Sequence, residues 1–290
     1  LNGLWEYAIR PTGTQQPADM DGQILVPFAV ESSLSGVMKT LGKENELWYS
    51  REFTVPSSWK GKNILLHFGA VDWQADVWVN GVKMGQHRGG YTPFSFDITP
   101  VLAKGKNQIT VKVWDPSDEG YQPRGKQVKH PDGIWYTPVS GIWQTVWMEP
   151  VSANHITRLK TTPDIDKKIL TVEAHTATGN PSAVVSVVVS EGGKVVATGK
   201  AMQGQPVQLA IENARLWSPE NPFLYDMKVT LTDNGKVIDE VNSYAAMRKY
   251  SIRQGADGMF STSVRWIRDG GPTDYIPLRP TKPWYTTSRK

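Results

Sequence analysis

The 290 residues carry a formal net charge of +4, with 32 basic residues scattered among 28 acidic ones, so the chain lacks the basic stripe that nucleic-acid binding requires. At 39% hydrophobic content the length suits about two packed domains, and no apolar run approaches the length needed to cross a membrane. Zero cysteine removes disulfides, thiol nucleophiles and zinc–thiolate sites, and it is neutral about the compartment.

The opening residues, Leu1-Asn-Gly-Leu-Trp-Glu-Tyr-Ala-Ile9, already alternate like a strand with no basic and apolar leader before them, so any signal peptide is expected to have been removed. Short alternating runs follow at Ile24–Pro27, Leu47–Val55 and Asn63–Phe68. The most patterned stretch comes next. Ala75, Val77 and Val79 alternate with Asp76, Trp78 and Asn80, and Asn80-Gly81 supplies the two positive-φ residues of a tight hairpin turn before Val82 and Met84 resume the pattern. A second turn at Gly89-Gly90 leads to Tyr91, Phe94 and Phe96, and further strands are expected at Asn107–Trp114 and Thr145–Met148. No helical period is sustained, so residues 1–150 predict a β-sandwich or jelly roll. The 12 tryptophans fit that picture as fillers of β cores and covers of strand faces.

Between Trp114 and Trp143 the strands stop and a long loop runs from Asp115 to Tyr136. Asp115, Asp118, Gln122, Arg124, Lys126 and Gln127 stand there among Trp114, Tyr121, Trp135 and Tyr136, the mixture of hydrogen-bonding groups and aromatic faces that sugars need. The same composition also fits a plain solvated loop. We take Asp115, Asp118, Gln122, Arg124 and Trp135 as the candidate carbohydrate-binding residues.

Near residue 150 the aromatics thin out and a second module, 151–250, begins. Its strands are expected at Ile156–Thr161, Ile169–His175, Ala183–Ser190, Lys194–Lys200, Val207–Ile211, Tyr225–Thr232 and Val237–Tyr244, with turns at Gly192-Gly193 and Asn234-Gly235. Seven short strands in roughly a hundred residues predict an immunoglobulin-like β-sandwich. Residues 251–290 show no useful period and place prolines and basic residues where a core should be, which predicts an irregular tail.

Three passages together resemble glycoside hydrolase family 2, the group of β-galactosidases, β-glucuronidases and β-mannosidases. They are Asp72-Trp-Gln-Ala-Asp-Val-Trp-Val-Asn-Gly81 with Gly90-Tyr-Thr-Pro-Phe94, Gly133–Trp147, and Leu216-Trp-Ser-Pro-Glu-Asn-Pro-Phe-Leu-Tyr225. The resemblance implies an all-β pair, a jelly-roll sugar-binding domain followed by an immunoglobulin-like sandwich, with the family's chemistry performed by two glutamates of a later barrel that this chain is expected to lack. It also implies that an acidic residue of the long loop, Asp118 first and Asp115 second, reaches the sugar beside the scissile bond. The tail fits the same frame: a one-base shift at the Trp266–Ile267 junction reads Asp, and carried on for roughly two dozen codons it spells a segment resembling the start of the barrel, so 251–290 is expected to be an out-of-frame remnant. The parent would be a soluble protein of open compartment, periplasmic or secreted.

A retaining glycosidase needs two carboxyl groups about 5 to 5.5 Å apart, and only Asp115/Asp118 and Asp118/Glu119 are close in sequence, on what reads as a surface loop. The five histidines show no metal-ligand spacing and no serine partner, and no helix follows Gly89-Gly90 to make a phosphate loop, so no cofactor or metal is expected. Three function classes remain: a non-catalytic fragment with weak carbohydrate binding, a stand-alone carbohydrate-binding module, and a hydrolase with an unrecognised site. The surface that would meet a barrel also implies self-association.

Overall fold

The structure is a computed structural model that describes residues 1–254, 260–264 and 275–276, with side chains described through Lys249. It divides into two compact units, Leu1–Val151 and Ser152–Lys290.

The first unit contains β1 (Gly3–Pro11), β2 (Gly22–Val26), β3 (Asn45–Thr54), β4 (Asn63–Phe68), β5 (Val71–Asp72), β6 (Gln74–Val79), β7 (Val82–Arg88), β8 (Phe94–Asp97), β9 (Lys106–Trp114), β10 (Gly141–Ile142) and β11 (Val146–Val151). Six of them form a sheet in the order β2-β1-β3-β9-β6-β7, and three more a sheet in the order β11-β4-β8, with β10 and β5 as a short extra pair. Every pairing between these strands is antiparallel. Trp5, Tyr49, Leu66, Phe68, Val77, Val111 and Ile142 fill the space between the layers. This is the jelly-roll sandwich that the alternation predicts, because residues of period two put one set of side chains inward and the other outward. Among the described residues helix is limited to three 3₁₀ turns of three residues each, at Ser33–Ser35, Ser57–Trp59 and Thr99–Val101.

The Asn80-Gly81 turn forms as expected, with φ of 51° and 78° at its two residues. The Asn80 side chain also donates to Val101 O and Asn107 Oδ1, both at 2.8 Å, and accepts from Gln108 N at 2.9 Å, so the turn is tied to the start of β9. On the outer face of the large sheet Trp48 and Trp78 stack at 5.8 Å. Lys112 covers Trp48 and Lys83 covers Trp78, while the same ammonium groups pair with Glu46 and Asp76. These tryptophans close a strand face.

The second unit contains β12 (Ile156–Asp164), β13 (Ile169–Thr176), β14 (Val184–Glu191), β15 (Lys194–Met202), β16 (Val207–Ala210), β17 (Tyr225–Asp233) and β18 (Lys236–Ala245). One sheet runs β16-β13-β12 and the other β15-β14-β17-β18, around a core that includes Leu159, Val172, Val187, Tyr225, Val229 and Met247. The seven strands and two sheets make the immunoglobulin-like sandwich. Leu216 bridges Met247, and Trp217 donates to the Met247 carbonyl at 2.9 Å, so the proline-broken passage before β17 is pinned to the end of β18. The reading of 251–290 as an out-of-frame remnant lies outside the described residues, apart from short pairings. Tyr250–Gln254 (β19) runs antiparallel to Phe260–Val264 (β20), and Tyr275–Ile276 (β21) pairs with β12.

Candidate functional site

The loop from Asp115 to Tyr136 leaves the end of β9 and is ordered by its own hydrogen bonds. Asp115 is 2% exposed; its Oδ1 accepts from Ser117 N at 2.8 Å and its Oδ2 from Ser140 Oγ at 2.7 Å. Gln122 is 8% exposed and donates to Ser117 O at 2.7 Å. Both residues, expected on the sugar-facing surface, are turned inward to hold the loop's first bend. The physical reason is backbone satisfaction: a loop lying on a sandwich buries N–H and C=O groups that its own polar side chains must serve.

Asp118 and Arg124 remain partly exposed and adjacent, with Arg124 Nη1 donating to Asp118 O at 3.0 Å. Glu119, one residue on, is paired with Lys43 and Lys129. Further along, Tyr136 N donates to Lys126 O at 2.8 Å and Val128 N to Tyr136 O at 3.0 Å, and these bonds draw the chain into a tight lobe. Its tip exposes Ile134, Trp135 and Tyr136, with Trp135 42% exposed; Tyr121 is 95% exposed. Trp114 is not part of this face. It lies edge-on to Trp73 and donates its indole N–H to Lys43 O at 2.8 Å.

Residues from outside the loop, which the local pattern did not single out, complete the site's base. Gln127 donates to Tyr91 Oη at 3.2 Å and to Asp72 Oδ2 at 3.3 Å, while its carbonyl accepts from Val139 N at 2.6 Å. Tyr91 is half exposed and lies edge-on to Trp143, whose indole N–H is bonded to Gly90 O. Glu31, in the segment after β2, accepts from Ser140 N at 2.9 Å. Glu31, Asp72 and Asp115 therefore gather behind the loop, from three distant parts of the sequence. Burial pushes the Glu31 carboxyl up to about 7, against the hydrogen bonds from Ser140. Burial, then repulsion from Asp115 and Glu31, pushes Asp72 up to about 7, and burial also raises Asp115.

What the loop offers to solvent is thus Tyr121, Trp135 and Tyr136, together with the partly exposed Asp118 and Arg124. Such groups can stack on the apolar side of a sugar ring and bond its hydroxyls. Asp72 and Asp115, by contrast, are nearly inaccessible in this structure. Among the described residues no group of three His, Asp or Glu side chains is arranged to hold a metal ion, and no helix is long and apolar enough to cross a membrane. An open polar depression in the second unit is lined by His175, Thr176, Asn180 and Gln203, but Gln203 is engaged with Asn154, Thr176 and Thr178.

Residues 37–149 match the sugar binding domain of glycosyl hydrolases family 2, and residues 154–248 match a second domain described as glycosyl hydrolases family 2. The chain belongs to glycoside hydrolase family 2. A β-glucuronidase of Paenibacillus borealis is 29% identical over 273 residues, which is 87% of this chain and 45% of the relative. A β-galactosidase of Thermoanaerobacter pseudethanolicus is 32% identical over 225 residues, 73% of this chain and 29% of the relative. The Lactobacillus rhamnosus β-glucuronidase structure superposes with a TM-score of 0.70 at 27% identity, covering 88% of this chain and 45% of that one. The Ruminococcus gnavus β-glucuronidase in complex with D-glucuronic acid gives 0.68 at 25% identity, with 88% and 46% coverage. This family 2 chain spans less than half the length of each of these relatives. The two matched segments fall on the two sandwiches, and the first of them includes the whole candidate loop.

Proposed function

We propose that residues 1–248 serve as the non-catalytic β modules of a family 2 glycosidase acting on β-glucuronides or β-galactosides, with the Asp115–Tyr136 loop supplying one wall of its carbohydrate site. The observation that carries this reading is the ordered loop within the matched sugar-binding segment, which presents Tyr121, Trp135 and Tyr136 to solvent. The contacts assigned to sugar are Trp135 and Tyr136 as stacking faces and Asp118 and Arg124 as hydrogen-bonding groups; Asp115 and Gln122 act from behind by holding the bend. The non-catalytic reading is supported by the state of the carboxyls around the loop. Asp72 and Asp115 are buried, and Glu119 is neutralised by two lysines.

A single wall leaves much of a bound monosaccharide in water, whereas pockets that hold small ligands well bury most of the ligand's surface. Binding of glucuronate or galactose should therefore be no tighter than about millimolar, near −4 kcal/mol. Titration calorimetry tests this, with sedimentation at several concentrations reading the self-association that the exposed aromatic face favours. Micromolar affinity abolished by Trp135→Ala would establish a self-sufficient binding module instead.

A further inference from the structure

We propose that Glu31, Asp72 and Asp115 form a proton-operated latch that holds the Asp115–Tyr136 loop against the first sandwich and releases it as the pH rises past neutrality. The geometry comes first. Ser140, just beyond the loop, stands between two of the acids, giving its backbone N–H to Glu31 Oε2 at 2.9 Å and its single hydroxyl proton to Asp115 Oδ2 at 2.7 Å. Gln127, inside the loop, reaches the third acid, Asp72 Oδ2, at 3.3 Å. The loop is thus fastened near its start, within it and just past its end, each time to a buried carboxyl.

The titratable groups facing these acids offer no positive charge. Tyr49, which accepts from Ile142 N, stands beside Glu31, and Tyr91 stands beside Asp72. Among the described residues no lysine, arginine or histidine hydrogen-bonds or pairs with any of the three acids. Glu31 Oε1 is buried with no hydrogen-bond partner, as is the hydroxyl of Ser117, whose backbone N–H is bonded to Asp115. Three buried carboxylates with no counter-ion repel one another and lack the solvation that water gave them, so the closed arrangement is stable only while it holds protons. Burial pushing Glu31 and Asp72 up to about 7 agrees with this.

The sign follows from linkage. Acids whose affinity for protons is raised by folding stabilise the closed loop fully below their unfolded pKa, near 4, and that stabilisation fades as the pH climbs through about 7. Acid should therefore tighten the loop and mild alkali should loosen it. Release would swing Trp135 and Tyr136 on a freed segment.

The test is hydrogen exchange of the whole 290-residue chain between about pH 5.5 and 8.5, with rates corrected for the intrinsic pH dependence of exchange. Protection of the loop amides should fall about tenfold or more across this range with a midpoint near 7, while the strands of the second unit hold theirs. Glu31→Gln, which keeps the shape and cannot ionise, should shrink the fall, Asp72→Asn should do so independently and stands in if the first variant does not fold, and the two combined should bring it below about threefold. Loop protection that is independent of pH in the unaltered chain, or a fall in both single variants as large as in the unaltered chain, overturns the latch. The latch does not depend on a sugar being bound, so the expected pH-dependent fall in protection with absent sugar affinity would count against the carbohydrate reading alone.

Discussion

Gly141→Ala is expected to destabilise the first unit by about 4 kcal/mol or more, enough to remove much of a typical domain's stability. Gly141 has φ of 92°, a conformation that costs an L side chain roughly 1–2 kcal/mol. Its Cβ would also overlap the Tyr49 hydroxyl, and Leu47 closes the space on the other side. Tyr49 cannot withdraw, because it is fully buried, lies edge-on to Trp5 and accepts a hydrogen bond from Ile142 N at 3.1 Å. The loss therefore combines backbone strain with disruption of the aromatic centre of the core. Because Gly141 follows Ser140, the substitution should disturb the loop as well as the core. A urea titration followed by tryptophan fluorescence would show the effect as a lower midpoint with an unchanged slope.

Tyr225→Ala should cost the second unit about 3–5 kcal/mol. The ring is 1% exposed at the start of β17 and makes an edge-to-face contact with Phe223 at 4.8 Å. Its hydroxyl accepts from Arg215 N at 2.6 Å, which anchors the proline-broken passage before the strand. Truncation leaves a cavity and an orphaned backbone N–H together. Tyr225→Phe removes only the hydrogen bond and should cost about 1–2 kcal/mol, so the difference between the two variants in the same denaturant assay separates packing from polar anchoring.

The sandwiches were legible because period-two alternation is a local property. The runs around Trp5, Tyr49, Ile109 and Val187 announce their buried faces without reference to anything distant, and Asn80-Gly81 announces its turn by backbone chemistry alone. The long loop was legible as a loop, and its aromatics as exposed groups. The roles of its polar residues were not. Asp115 and Gln122 have the same composition signature as Asp118 and Arg124, yet the first pair points inward to serve buried backbone, and that choice depends on Ser140 and on the bend at Ser117. The gathering of Glu31, Asp72 and Asp115 was invisible for a related reason. Each acid stands in an ordinary strand-end or turn context, and only the closing of β5 against β10 and of the segment after β2 against Ser140 brings them together.

The central claim is that these two sandwiches serve a family 2 glycosidase without performing its chemistry themselves. Hydrolysis of nitrophenyl β-glucuronide and β-galactoside by the purified 290-residue chain tests it most directly. The account predicts release at the background rate, with any trace of activity falling away through successive orthogonal purification steps as host glycosidase is removed. A constant specific activity through those steps, lost on Asp118→Asn while the denaturation midpoint stays unchanged, would contradict it.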